Sequence, residues 1–408
     1  PLWLDGLAPA AGTAAGEPAP AWSDVVVVGG GLAGLCIAWS CAETGRSVTV
    51  LEAGPIARRT TGHSTAKLTA LHGLTYRQLE RGKGIATAAA YAAANVAALA
   101  GLRRLIADLD IDCELVEADA FSCAATDDGV AAIEEEAAAA SRAGLPVDVV
   151  SSTELAGLVK RAVRLPAQAH FDPYSFCAGL GARLRARGVT IIEHRRVTDV
   201  TESADGCEVV APGVSVRCDA AVLATHLPVV DPGLIAARVR PERSYAVAGP
   251  SRQSPTGMYI AHDAGWSLRP ATSSRGPVLI VGGEGHSMTD HVDSVRHYRA
   301  LEALAADTFG VAASHRWSAF DYVSSDRLPY IGRLSVRSRH RYVATGFAKW
   351  GMTTSMAAAT IVSDLIADRP NEHASTFDST RVLPAVSRDL VSNTVHVAAH
   401  WIGDRVTA

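Results

Sequence analysis

The chain has little charge imbalance: 38 basic and 42 acidic residues leave a formal net charge of −4 over 408 residues. That removes any electrostatic reason to expect nucleic acid or an anionic membrane as a partner. Its seven cysteines, at 36, 41, 113, 123, 177, 207 and 218, are scattered and never stand in C-x-x-C spacing. Such a set argues against a disulfide frame or a zinc site, so buried thiols in a reducing compartment are expected, with no metal centre. No positively charged leader precedes an apolar core, and no internal repeat is visible. Val25 to Ala42 is apolar enough to resemble a membrane span, but its glycine turn and polar flanks predict a buried strand and helix. A cytoplasmic location is the expectation. With 48% hydrophobic and 20% charged residues, the composition is that of a globular protein too long for one ordinary core.

Residues 24 to 52, DVVVVGGGLAGLCIAWSCAETGRSVTVLE, carry the strongest signal. An apolar run enters a turn with Gly29, Gly31 and Gly34 in G-x-G-x-x-G spacing. A helix-length segment, a second β-branched run and Glu52 follow. Gly29 permits the tight turn, Gly31 lets the backbone approach a pyrophosphate, and Gly34 lets helix and strand pack closely. Leu32 and Ala33 open the helix, whose unpaired N–H groups face an anion. Glu52, beside Ala53, is spaced to bond ribose hydroxyls. Strand, turn, helix, strand and acid in that order predict a dinucleotide site. No second such fingerprint exists, because Gly282-Gly283-Glu284-Gly285 lacks the spacing. A separate NAD(P)H domain is therefore not expected, and reducing equivalents should come from the substrate.

Along the chain, residues 5 to 22 predict an extended arm. Arg77 to Asp108 reads as one long Ala-rich helix. Asp127 to Arg142 reads as a helix with its Glu134-Glu135-Glu136 run on a solvated face. Further helices are predicted over Phe176 to Arg187, Val292 to Thr308 and Thr353 to Ala367. Segments 240 to 325 are rich in β-formers and glycine. β-α-β units bracketing a β-rich insertion give a discontinuous nucleotide-binding domain over 24–108, 150–235 and 326–370. An inserted domain takes 109–149 and 236–325, between an N-terminal arm at 1–23 and a C-terminal extension at 371–408.

With these segments placed, the chain resembles the FAD-dependent oxidoreductases of the D-amino-acid oxidase, glycine oxidase and sarcosine oxidase superfamily. It is most similar there to bacterial members that carry a Rieske iron–sulfur domain. The matching stretches are LWLDGLAP, VVVVGGGLAGL, RRTTGHSTAKLTALHG, AVLATHLPV, GGEGH, DRLPYIG and ATGFAKWGMTTSMAAATIVSDLI, in the same order. The resemblance implies an α/β protein: a glutathione-reductase-type Rossmann FAD domain, with an inserted mixed-β substrate domain over the isoalloxazine. One departure concerns the cluster. A Rieske centre needs two cysteines and two histidines in Cys-x-His and Cys-x-x-His boxes, and no cysteine of these 408 residues follows Cys218.

The resemblance places Arg58, Arg59, Thr60, Thr61, Gly62, His63, Ser64 and Thr65 beside the pyrophosphate and ribityl chain, where hydroxyls and guanidinium groups bond phosphate. A polar helix cap is the other reading of this stretch. In dimethylglycine-dehydrogenase-like relatives a comparable histidine is bonded to the flavin, so FAD held without a bond and FAD linked at His63 both stay open. Gly346, Phe347, Lys349, Trp350, Gly351, Met352 and Thr353 would present N–H groups and a helix dipole to the flavin N1–C2=O edge, where reduced flavin is anionic. Val197, Ala224, Thr225 and Gly332 complete the implied cofactor contacts. Lys349 is also a candidate for electron transfer to oxygen, or a solvent-facing lysine. Arg269 could fork onto a substrate carboxylate or pair with a structural acid. His286 could polarise a substrate group or bond a turn, and Tyr245 and Tyr259 join these candidates. The tryptophan and tyrosines around 317 to 322 read as core.

By this analogy the function is oxidation of a C–N bond of an amine or amino acid by hydride transfer to flavin N5. The partners are then a small-molecule substrate and O2 or an electron carrier. A dehydrogenase subunit passing electrons to a separate Rieske partner is the alternative, with Val391, Val395, Ala398 and Ile402 as an apolar docking stripe. A FAD-binding protein without turnover is a further one. A monooxygenase is disfavoured, because a Gly-Asp ribityl motif before the last flavin-domain helix is missing.

Overall fold

A computed structural model describes residues 1–7, 18–251, 255–288 and 293–381. The stretch Val391 to Ile402 and residues 8–17 of the N-terminal arm lie outside the described residues. Two sheets organise the chain. In the first, the strands run in the order Tyr330–Arg333, Arg341–Thr345, Val214–Leu223, Trp22–Val28, Val48–Leu51, Thr190–Ile192. Trp22–Val28 is parallel to both neighbours. Val25 and Val27 join one core and Val26 and Val28 another, so this strand is covered on both faces. Covered parallel strands read as unbroken apolar runs, which is why VVVV needs no alternation. Each such valine contributes about 1.5–3 kcal/mol on burial. Chain order reverses beside Trp22–Val28, and its C-terminal end is the place where open parallel sheets accept ligands.

Helix Leu32–Glu43 starts at once from that end and packs on helix Gly351–Ile366. The second sheet orders His315–Ser324, Val239–Gly249, Gly276–Ser287, Trp266–Ser273, Met258–Ala261, Val116–Ala124, Arg161–His170 and Lys67–Leu68. Strands from 67–68 and 161–170 thus pair in the second sheet, although the sequence grouped both segments with the nucleotide-binding part. Helix Ser294–Phe309 covers the far face of this sheet over a separate core containing Tyr245, Tyr259 and Trp266.

Two local expectations change. The Ala-rich stretch is two helices, Thr75–Lys83 and Ile85–Asp108, because Gly84 at φ +86° interrupts the helical backbone. The second is long and apolar enough to cross a membrane by composition, yet Tyr91, Ala94, Leu102 and Ile106 are buried in the protein core. At the N-terminus, ahead of the segment read as an arm, Trp3 is buried within a short 3₁₀ turn, Leu2–Leu4.

Glu136, read as solvated, is fully buried. Its carboxylate accepts the Tyr76 and Arg77 backbone N–H groups at 3.0 and 2.9 Å, closing the start of helix Thr75–Lys83. Burial pushes its carboxyl up to about 7, against the pull of those two N–H groups. The folded state therefore keeps a proton that the unfolded chain releases near 4.5. The resulting stability is full below that pH and is lost as pH rises through about 7. Thermal melts from pH 4 to 8 should show this decline in the wild type and a flatter profile in Glu136→Gln; identical slopes would contradict the buried carboxyl.

Candidate functional site

A cavity of about 950 Å³ runs from the Gly29 turn to the inner face of the second sheet. At the turn, Gly29 adopts φ +112°, and a Cβ there would meet the Ala224 carbonyl oxygen at 2.5 Å. Gly34 packs on Gly29 so closely that a Cβ would stand 1.9 Å from the Gly29 carbonyl oxygen. Gly34 therefore shapes the turn without lining the cavity, while Gly29, Gly31, Leu32 and Ala33 line it. Glu52 also lines it, and its two carboxylate oxygens accept N–H groups from Gly30 at 2.6 Å and Gly54 at 2.9 Å. Each oxygen keeps a lone pair for a hydroxyl. Ala53, Val197, Ala224 and Thr225 border the same end.

The segment 58–66 forms one wall, and Arg59, Thr60, Thr61, His63, Ser64 and Thr65 line it. Thr61 Oγ1 accepts the Leu32 N–H at 3.1 Å, joining this wall to the helix start. Gly62 lies outside the lining; a Cβ there would meet the Ala57 carbonyl at 2.6 Å. Arg58 instead stands over the Tyr174 ring at 5.9 Å. Three buried side chains from distant parts of the chain grip the wall's backbone. Trp3 Nε1 donates to the Ser64 carbonyl at 2.7 Å, and Trp317 Nε1 to the His63 carbonyl at 2.9 Å. Arg269 Nη1 donates to the carbonyls of Thr65 (2.9 Å), Ala66 (3.3 Å) and Phe171 (3.0 Å). Its guanidinium carbon lies 4.8 Å from the Trp3 ring centroid. His63 Nδ1 donates to the Arg59 carbonyl at 2.7 Å, and burial lowers this imidazole's pKa. It is a neutral ring with its lone pair on Nε2.

The opposite wall is the loop before helix Gly351–Ile366, where Phe347, Lys349, Trp350, Gly351 and Met352 line the cavity. Ala348 and Lys349 both hold positive φ, +51° and +75°, which side-chain-bearing residues adopt at a cost of about 1–3 kcal/mol each. Asp321 holds the strained pair, accepting the Lys349 N–H, while Tyr322 O accepts the Ala348 N–H at 3.1 Å. The same carboxylate accepts His226 Nε2 at 2.9 Å, and Thr60 Oγ1 lies 3.0 Å from His226 Nδ1. Lys349 Nζ pairs with Glu242 at 3.2 Å; against burial, Lys349 and then Arg240 hold that carboxyl below its usual range. Thr353 lies behind the lining, bonded to the Thr69 backbone. Gly346 and Gly332 are also off the cavity.

Four candidates from the inserted sheet do not present their functional groups here. Arg269 is buried on backbone carbonyls and is absent from the lining, so it cannot fork onto a substrate carboxylate. Tyr245 borders the cavity, but its buried ring packs beneath helix Ser294–Phe309, with its hydroxyl 3.2 Å from His286 Nε2. His286 lies off the cavity, its ring stacked on His297 at 4.5 Å. Tyr259 is buried against Phe121 and donates to Glu154 at 2.9 Å. Strand alternation explains the two tyrosines, since their neighbours Ser244, Ala246 and Ile260 take the cavity side.

The cavity also gathers residues that no sequence signal singled out: His72, His226, His262, Ser267, Asp321 and Lys67. His72 stacks on Trp350 with centroids 4.3 Å apart, and burial pushes its imidazole down to about 3. His262 faces the cavity with its pKa lowered to about 4, chiefly by desolvation. Both rings are neutral at physiological pH.

Comparison with known proteins places this geometry. The family model described as FAD dependent oxidoreductase (DAO) matches residues 24–365. The Bacillus subtilis (strain 168) Rieske 2Fe-2S iron-sulfur protein YhfW is 31% identical over 385 residues, which cover 93% of this chain and 75% of YhfW. Gamma-glutamylputrescine oxidoreductase of Escherichia coli (strain K12) is 23% identical over 386 residues, covering 88% of this chain and 86% of that protein. Among solved structures, glycine oxidase from Geobacillus kaustophilus superposes with a TM-score of 0.74 at 20% identity, covering 90% of this chain and 100% of that one. The chain belongs to the DAO family of FAD-dependent oxidoreductases, and FAD is its cofactor. The glycine turn, the acid at its far side and the elongated cavity fit that group.

Arg269→Met tests the reassignment of the arginine. It leaves three buried carbonyls short of a donor and should lower stability by about 3 kcal/mol. It should also loosen FAD, read from the 450 nm to 280 nm absorbance ratio after dialysis. A variant with full FAD content and unchanged melting temperature would restore Arg269 to the substrate.

Proposed function

We propose that this FAD-dependent oxidoreductase oxidises the C–N bond of a small amine or amino acid. The observation that carries this reading is the single cavity that continues past the cofactor end to a roof of small and polar residues. Ser244, Ala246, Ile260, His262, Ser267 and Gly282 line that roof opposite the Phe347–Met352 loop. The names of the oxidoreductase acting on gamma-glutamylputrescine and of glycine oxidase support the chemical class.

In this reading Glu52 accepts the ribose hydroxyls and the Gly31 N–H faces the pyrophosphate, while the Leu32 N–H is held by Thr61 Oγ1. The wall 59–65 runs along the ribityl chain. FAD, when bound, supplies a two-electron acceptor for a substrate hydride. The start of helix Gly351–Ile366 directs its free N–H groups and positive dipole end to the cofactor edge that becomes anionic. Neutral His72 braces Trp350 in that loop without adding charge. Neutral His262 offers a polar contact in the roof that does not repel an ammonium group. The acceptor is O2 or a carrier. YhfW's Rieske description favours, as the second reading, transfer to an iron–sulfur partner.

An anaerobic screen of amines, amino acids and alcohols, followed at 450 nm, tests the reaction. Bleaching is expected with an amine or amino acid. Bleaching by alcohols alone, or by nothing, overturns the reading. Mixing the reduced protein with oxygen then separates the acceptors: fast recovery marks an oxidase, slow recovery the dehydrogenase.

We further propose that FAD is held without a covalent bond to His63. Precipitation with trichloroacetic acid should leave all the flavin in the supernatant. Yellow colour retained in the pellet, and lost in His63→Asn, would show the linkage instead.

A further inference from the structure

Lysine is scarce in this chain: only four of its 38 basic residues are lysines, at 67, 83, 160 and 349. Three have carboxylate partners. Lys83 lies 3.0 Å from Asp326, Lys160 3.8 Å from Asp127, and Lys349 3.2 Å from Glu242. Lys67 has none. It is the most buried of the four and lines the cavity, yet its Nζ makes no hydrogen bond or ion pair among the described residues. Its backbone position is fixed from both sides. Arg269 grips Thr65 and Ala66 before it, and Thr353 bonds Thr69 after it.

Among the described residues, the charge that acts on Lys67 is positive. Arg269 lies close enough to act on Lys67 electrostatically. Across the strand pair, His170 is buried with both ring nitrogens unpartnered. Burial, then Arg269 and Lys67, push that imidazole down to about 3. The carboxylates of Asp172 and Glu114 act on Arg269, and neither is among the groups that shift Lys67. A proton on Lys67 would thus be a second cation in a buried, already positive place. The amine is pushed down to about 7, by desolvation first and by Arg269 second. A buried amine with a free lone pair toward a substrate cavity is a base.

We propose that Lys67 is the proton acceptor of the reductive step, taking one proton from the ammonium group of the bound amine or amino acid. This rests on the C–N oxidation reading above. One substrate N–H bond breaks and one Nζ–H bond forms. The electron pair stays on the substrate nitrogen, whose lone pair the departure of a hydride from the adjacent carbon requires. The product ammonium of Lys67 then stands beside the cavity, where it opposes the negative charge that reduction adds.

The test uses the FAD-loaded protein. With lysine labelled by 13C at Cε, four side-chain signals are expected, each assigned by its loss in a single-lysine variant. The signal lost in Lys67→Met should titrate near 7, well below the ordinary lysine value of about 10.4. A Lys67 signal that titrates near 10 overturns the proposal whatever the substrate. Anaerobic flavin reduction by the amine found in the screen supplies the second arm. Lys67→Met and Lys67→Arg should both slow reduction on the order of 100-fold at pH 7. Both should lose the wild-type limb near 7 and regain rate at high pH, where the substrate arrives already deprotonated. Near-wild-type rates in Lys67→Arg would mean that a fixed cation suffices, and would overturn the base. Failure of every amine to reduce the wild type would instead overturn the C–N reading, and the base role with it. Lys67→Arg keeps the question answerable if the methionine variant does not fold.

Discussion

The contact of Gly34 with the Gly29 carbonyl is the constraint on which the site depends. With any side chain at 34 the helix could not start so near the end of its strand, because a Cβ would stand 1.9 Å from that oxygen. Close packing there sets the first helical N–H groups at the mouth of the sheet, facing the place where the chain order reverses. It also brings Leu32 N within 3.1 Å of Thr61 Oγ1, which ties the cofactor wall to the helix start. The dinucleotide end of the cavity follows from one missing methyl group.

The rest of the cavity is held by long-range grips on backbone. The wall 63–66 has no regular hydrogen-bonded ladder of its own except at Lys67–Leu68, so its carbonyls need donors from elsewhere. Trp3, Trp317 and Arg269 supply them from the N-terminus and from two strands of the second sheet. The opposite loop is strained at Ala348 and Lys349 and is held by Asp321. Charge is distributed with the same economy. Lys349 is neutralised by Glu242 at one wall, while Lys67 at another has no partner among the described residues. Two lysines facing one cavity therefore have opposite chemical characters, one a paired cation and the other a free amine.

The site was legible in the sequence to different depths. The turn and its acid were plain, because a G-x-G-x-x-G turn, its helix and its acid span fewer than about 30 residues and obey local backbone rules. Helices read at 127–142 and 292–308 take nearly those bounds, Asp127–Arg142 and Ser294–Phe309. The roof was not. Tyr245 and Tyr259 attracted attention as polar aromatics, but one step along a strand changes the face a side chain takes, and they took the far one. Glu136 stood in an acidic run that looked solvated, and only the approach of Thr75–Lys83 made it an N–H acceptor.

The sequence by itself determined that a dinucleotide sits at the end of a parallel sheet, and family likeness of its later segments made that dinucleotide FAD. Such features depend on spacing within one β-α-β unit or on a glycine that nothing larger can replace. Tertiary structure alone decided what the charged and aromatic residues do. Arg269 and Thr65 are 204 positions apart, and that single bond turns a candidate substrate ligand into a strut. The character of Lys67 depends on which strands pair beside it and on the absence of a carboxylate among them. A buried ionisable group takes its chemistry from its neighbours, and for these residues the neighbours come from distant parts of the chain.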